Sequence, residues 1–245
     1  MDFGVLLTAL VVGFGPVVLV VVLIAVSVFR IRRGDNVLAG VFDRSYNALA
    51  RISLWAVWAG GIALLVAAFI IAIEVVGRKI GGTSILGLVN FPQFRVPGSD
   101  EYSGYVFAGA TTWAYAYCLI HRSHIRIDAL YNVLSPRIRA VLDVVGLALL
   151  GVYIVYLTIK AWGVFLTSWE DGSVSVTPQL TPVWIPQIFW VAGLTFFTIV
   201  TLFLIFYTTV CLFAGRSETV RQVAGTMSVE EEVEEETKGV KELDK

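Results

Sequence analysis

The sequence predicts an all-α integral membrane protein with five transmembrane helices and a short cytoplasmic interfacial helix. Two observations carry this expectation. Five long apolar runs, 5–29, 52–73, 102–120, 144–159 and 183–214, are free of charged residues, and nearly every charge falls in the gaps between them. The composition agrees: 57% hydrophobic, 15% charged and a mean hydropathy of +0.80, against roughly a quarter charged in soluble domains. The hydrocarbon core of a bilayer needs about 20 helical residues to cross. All five are expected to cross, the fourth once its helix is extended backwards.

The first run, 5–29, follows Met1-Asp2-Phe3 with no basic n-region and no small-residue cleavage site before Arg30, so it is expected to remain as a helix. The second, 52–73, carries Gly60-Gly61, and the third, 102–120, carries Gly104 and Gly109. These are small residues that let helices approach closely, with Thr111 and Thr112 expected to add hydrogen bonds between helices. Ser99 is expected to cap the third helix, with Asp100 and Glu101 in its first turn at the positive end of the helix dipole. That dipole role alone would account for Glu101.

The fourth run is short, but Ser135 and Pro136 suit an N-cap and first helical position and extend it backwards. Lys160 then lies roughly 37 Å along the axis at ~1.5 Å per residue, where its ammonium can snorkel to the headgroups. Thr181 and Pro182 suit the cap and first position of the fifth helix.

Leu130, Val133, Leu134, Ile138, Val141 and Leu142 recur at helical spacing while Arg126, Arg137 and Arg139 stay polar. This pattern predicts an interfacial helix that breaks at Pro136. The Gly- and Pro-rich stretch 81–98 is expected to be an irregular external segment. The Pro-rich stretch 168–190 holds Trp169, Trp184 and Trp190, which suit an aromatic belt, and its rigid rim also suits docking of an external protein.

Arginines set the orientation. Arg30, Arg32, Arg33, Arg44 and Arg51 precede the second run, Arg122, Arg126, Arg137 and Arg139 follow the third, and Arg216 and Arg221 follow the fifth. These sides are expected to be cytoplasmic, which leaves the N-terminus outside and the C-terminus inside. The resulting organisation is an extra N-terminal helix (1–30), a cytoplasmic loop (31–51), a four-helix membrane domain (52–215) and an acidic, disordered cytoplasmic tail (216–245).

Several functions are disfavoured. A net charge of −1 without a basic face gives no reason to expect a nucleic-acid partner. Cys118 and Cys211 fall within spans and read as packing residues. His121, His124 and Asp128 share a helical face, but the chain has only two His and lacks a third strong ligand, so neither metal nor haem is expected. The spans lack mid-membrane ionisable groups of the kind that mark an ion path. No nucleophile stands beside a base, and no phosphate-binding loop is present, so an enzyme is not expected. Taken alone, the chain reads as a scaffold.

Two stretches carry a resemblance. Asp100-Glu101 opens a helix that leads to His124-Ile125-Arg126-Ile127-Asp128 and then Leu134-Ser135-Pro136-Arg137-Ile138-Arg139, and Thr177-Pro178 leads on to Trp184-Ile185-Pro186-Gln187. Over about residues 45–215 the chain resembles the small membrane subunit, the DctQ family, of tripartite ATP-independent periplasmic (TRAP) transporters. The resemblance implies a scaffold in the bacterial inner membrane, paired with a large membrane subunit on a separate chain and with a periplasmic substrate-binding protein. Together these would take up organic acids with sodium, and the form of the Thr-Pro and Trp-Ile-Pro-Gln stretch resembles relatives serving 2-oxo acids or other monocarboxylates.

Substrate and sodium would sit on the large subunit, so this chain is expected to hold no cofactor. Glu101, His124, Arg126 and Asp128 would serve subunit contact or loop ordering, and Thr177, Pro178, Trp184, Pro186 and Gln187 would form the docking rim for the binding protein. The chain departs from the family pattern in its extra first helix and in the long 81–98 insert. A free-standing membrane anchor or assembly factor is the alternative from another class.

Overall fold

The computed structural model describes residues 22–30, 36–80, 84–85, 89–90, 97–122, 134–225 and 237, and these are predominantly helical. A helical stretch at 22–30 is followed by α1 (Asn36–Ile80), β1 (Ser84–Ile85), β2 (Val89–Asn90), α2 (Ser99–Ile120), α3 (Pro136–Glu170), α4 (Trp184–Phe213) and α5 (Ser217–Ala224). Helices are what apolar runs must form in hydrocarbon, because every backbone N–H and C=O then finds its partner within the segment.

Among the described residues three helices are long and apolar enough to cross a membrane: Gly40–Lys79, Arg137–Glu170 and Trp184–Phe213. The expected third span is helical over Ser99–Ile120, but Ser99, Asp100, Glu101, Ser103, Thr111 and Thr112 dilute its apolar character and it is not one of the three. Most of the expected first span lies outside the described residues.

The chain divides into two compact units: 1–48 with 122–151 and 201–245, and 49–121 with 152–200. In the first, Phe42 packs among the rings of Phe203, Phe206 and Tyr207, with centroids 6.2, 5.9 and 5.0 Å away, and Ile24 and Val28 join the same cluster. A second cluster joins Ala140, Cys211 and Val220. Val220 comes from α5, so the segment 216–245, expected to be without order, begins with a helix whose apolar residues Val220 and Ala224 are buried. The acidic run 230–236 lies outside the described residues.

In the second unit the helices meet through small residues. A Cβ placed at Gly60 would lie 3.2 Å from Ala110 Cβ, so α1 and α2 approach closely there. At Gly193 the approach is tighter still: a Cβ would stand 2.9 Å from Thr112 Cβ and from Trp113 Cδ1. Gly61 and Gly104, expected to pack in the same way, have nothing within 4 Å. Thr111 and Thr112 also depart from expectation. Their hydroxyls donate back to Phe107 O (2.8 Å) and Gly109 O (2.9 Å) of their own helix. Bonds between helices come instead from Thr158 with Thr198 (2.8 Å), from Trp162 Nε1 to Thr195 Oγ1 (3.1 Å) and from Trp113 Nε1 to Phe189 O (3.0 Å).

Helix boundaries shift some other expectations. Pro136 opens α3, so Ile138, Val141 and Leu142 belong to a long helix rather than to an interfacial one; residues 123–133 lie outside the described set. α3 also continues past Lys160 to Glu170, because Ala161 to Trp169 is still apolar enough to extend the helix. Lys160 is therefore not at its end, and its Nζ lies 5.4 Å from the centre of the Tyr156 ring one turn back. Within 81–98, expected to be irregular, Ser84 pairs with Asn90 and Ile85 with Val89 in a short antiparallel ladder.

Replacing Gly193 by Ala would force α4 off α2, and overpacking of this kind costs ~1–3 kcal/mol. Gly193→Ala is expected to lower the unfolding temperature in detergent, whereas Gly163→Ala, with nothing within 4 Å of its Cβ, is expected to leave it unchanged or raise it. Equal temperatures for the two variants would show that the close approach does not hold the helices.

Candidate functional site

Two features of the second unit stand next to one another on α2 and α4: a carboxylate that ties down the loop between α3 and α4, and an apolar groove. The carboxylate is Glu101, in the first turn of α2. The expected cap, Ser99, is instead the first helical residue and is buried. Gly98 holds the cap position with φ at 81°, a left-handed conformation that glycine adopts without a Cβ penalty. Tyr102 N–H donates to Gly98 O (2.9 Å) and closes the first turn.

From this position Glu101 reaches the loop. Its Oε2 accepts a short hydrogen bond from Thr177 Oγ1, and its Oε1 accepts from Tyr105 OH at 2.5 Å. Since Thr177 donates its hydroxyl proton to the carboxylate, the Ser175 hydroxyl at 2.6 Å donates to Thr177 Oγ1, and Ser175 Oγ in turn accepts from Thr177 N–H (3.0 Å). The donated bonds hold the Glu101 carboxyl below its ordinary value; the Thr177 hydroxyl is the largest cause and the Tyr105 hydroxyl the next.

The loop has a definite shape. Thr177 O accepts from Leu180 N–H (3.1 Å), which closes a turn with Pro178 in its second position, where a φ near −65° is already set. Ser175 N–H donates to Thr181 O (2.8 Å) and Val183 N–H to Ser173 O (3.1 Å), so the two arms pair around a bridge of Val174 and Pro182. Tyr102 OH lies 3.5 Å from Thr181 Oγ1 and adds a second contact with α2.

The groove has a volume of about 660 Å³ and is lined by α1, α2, the loop and the start of α4, with Trp55, Gly60, Tyr105, Trp113, Pro186 and Phe189 among its walls. No ionisable carboxylate or cationic side chain lines it, so it suits an apolar occupant such as an acyl chain or a helix rather than an organic anion.

The nine residues expected to act are distributed unevenly. Glu101 and Thr177, assigned from sequence to different roles, bond to one another. Pro178 is exposed at the turn. Trp184 is half-buried with its ring edge-on to Trp169, centroids 4.6 Å apart. Pro186 lines the groove. Gln187 is half-buried, and its Oε1 is buried without a hydrogen-bond partner among the described residues. His124, Arg126 and Asp128 lie outside the described residues.

Sequence reasoning missed two buried carboxylates, Glu74 at 3% exposure and Asp143 at 2%. Each sits one residue beyond an uncharged run, so only its position at a span border could have flagged it. Glu74 Oε1 lies 3.7 Å from Arg78 Nε one turn on, while its Oε2 is buried without a partner among the described residues.

A predominantly helical chain with, among its described residues, three helices long and apolar enough to cross a membrane is of the class of integral membrane proteins. Comparison with known families is specific: the model of the family described as tripartite ATP-independent periplasmic transporters, DctQ component, matches residues 69–214, more than half of the chain. The chain belongs to this family, the small permease component of TRAP transporters. The match covers α2, α3, α4 and the anchored loop, and it starts within α1, later than the expected position near residue 45. No curated protein and no solved structure matched.

Because the Glu101 carboxyl is held below the ordinary carboxylate value of ~4.3, the tie to Thr177 is complete above that pH and is lost only as pH falls through the lowered value. Hydrogen exchange corrected for intrinsic rates is expected to show residues 173–183 equally protected at pH 7 and near pH 5 in the native chain, and deprotected at both in Glu101→Ala. Equal protection in the variant would remove the anchoring role.

Proposed function

We propose that this chain is the static scaffold subunit of a sodium-coupled TRAP transporter for organic acids, 2-oxo acids or other monocarboxylates among them. It stands in the bacterial inner membrane with five spans, its N-terminus periplasmic and its C-terminus cytoplasmic. The large subunit, a separate chain, binds substrate and sodium and moves them. This chain broadens and steadies that subunit and presents the loop between α3 and α4 to the periplasmic binding protein.

The observation that carries this reading is the face of α1. Its most apolar window has none of its residues buried. Trp55, Trp58, Ile62, Leu65 and Phe69, between 56% and 76% exposed, recur at alternating spacings of three and four. Such a seam suits packing against a further helix, as in a coiled coil, and needs no change of shape in this chain. The groove supports the same division of labour, since it offers no cation to an organic anion. His124, Arg126 and Asp128 are assigned to ordering the cytoplasmic loop against the large subunit, as the family pattern implies.

Affinity purification from native membranes in mild detergent, followed by mass spectrometry, is expected to return a stoichiometric, many-span partner. Recovery of the chain alone, or with an unrelated complex, would remove the transport assignment. His124→Ala and Asp128→Ala are each expected to weaken co-purification and uptake together. Unchanged assembly and uptake in both would remove the loop-ordering role.

A further inference from the structure

The loop between α3 and α4 is built with its polarity inverted. From Ser173 to Thr181, Val174, Val176, Pro178 and Leu180 are exposed, whereas Ser175 between them is buried and Ser173, Thr177, Gln179 and Thr181 are half-buried. Over 173–176 the alternation is the period of two of extended backbone, and the turn at 177–180 continues it, but a loop that only meets water turns its polar row outward. Here the polar row is engaged within the protein, through the Ser175, Thr177 and Glu101 chain and the contact of Thr181 with Tyr102. The apolar row is left in solvent, with Val176 fully exposed and Leu180 60% exposed. Leu180 holds a left-handed φ of 49°, a conformation that non-glycine residues keep only when the surrounding bonds impose it.

We infer that Val174, Val176, Pro178 and Leu180 form a preorganised apolar patch that binds the soluble substrate-binding subunit through an apolar surface rimmed by basic side chains. This rests on the three-part transporter reading above and specifies which residues make the contact. Held in place before binding, the patch loses little conformational entropy on association.

Charge decides between a protein and the bilayer as its occupant. Glu170 and Asp171 stand at the base of the loop, Asp100 and Glu101 lie in the first turn of α2, and no Lys or Arg occurs anywhere in 161–215. Among the described residues beside the loop the charged side chains are thus acidic, which repels an anionic leaflet but attracts a basic rim on a protein. Bilayer-inserting tips also rely on Trp with Lys or Arg at the headgroups, which the exposed row lacks.

The test uses the full chain assembled with its large subunit in nanodiscs containing anionic lipid, titrated with the purified soluble subunit. In a background with Cys118→Ala and Cys211→Ala, Val176→Cys carries an environment-sensitive nitrobenzoxadiazole label. The label is expected to report water in nanodiscs alone and to shift to the blue when the soluble subunit is added. Val176→Ser with Leu180→Ser is expected to weaken binding about tenfold or more while hydrogen exchange of the loop stays native.

A label already blue-shifted before the soluble subunit is added would place the patch in the bilayer and overturn the inference. Undiminished affinity of the double variant, or an unshifted label while the unlabelled complex binds, would overturn the inference and leave the three-part reading standing. Absence of binding by the unsubstituted complex would overturn both.

Discussion

In hydrocarbon, helices gain nothing from burying apolar surface against one another, because lipid tails are as apolar as leucine. Association then depends on how closely backbones can approach. In the unit that holds the groove and the loop, two glycines set that approach: Gly60 against Ala110 and Gly193 against Thr112 and Trp113. With α4 drawn against α2, Trp113 Nε1 reaches Phe189 O, and the Trp113 ring stacks on Phe196 with centroids 5.8 Å apart. The groove walls are residues of the same helices, so its existence follows from the same contacts.

The loop between α3 and α4 depends on α2 in a second way. A hairpin of this length is marginal in water on its own. Its order comes from one ionised carboxylate that accepts hydroxyl protons, and charge-assisted bonds of this kind are stronger than neutral ones. Glu101 can supply that acceptor because Gly98 lets the chain turn sharply into α2. The dipole of α2 favours the charged form at the same position. Capping, charge and loop order therefore share one residue.

Polar groups elsewhere in the protein serve packing. Thr158 with Thr198 and Trp162 with Thr195 bond between helices, and the hydroxyls of Thr111, Thr112 and Thr208 return to their own helices. Each of these hydroxyls has a hydrogen-bond partner within the protein. α5 extends this economy beyond the last span, where Val220 and Ala224 are buried and Glu218 pairs with Arg221 at 2.9 Å on the exposed side.

Much of the fold was legible in the sequence, since length and apolarity alone force helices in lipid: α1, α3 and α4 each contain an uncharged run, and the DctQ resemblance followed from short motifs. Helix ends were less legible. The extension of α3 to Glu170 depends on how far a moderately apolar stretch keeps its helical bonds, and the position of Gly98 depends on one backbone angle. Of the contacts across the chain, those at Gly60 and Gly109 were legible as small-residue positions, whereas Gly61 and Gly104, expected to do the same, meet nothing within 4 Å.

Nothing in the spacing of Glu101 and Thr177, 76 residues apart, says that they bond, and composition alone does not say which of several glycines meets a neighbouring helix. Those facts depend on which face each helix turns to the next. A uniformly apolar helix leaves that rotation undetermined in its sequence, because hydrophobicity without an amphipathic stripe carries no direction. Only the tertiary packing of small residues and a few polar bonds selects it.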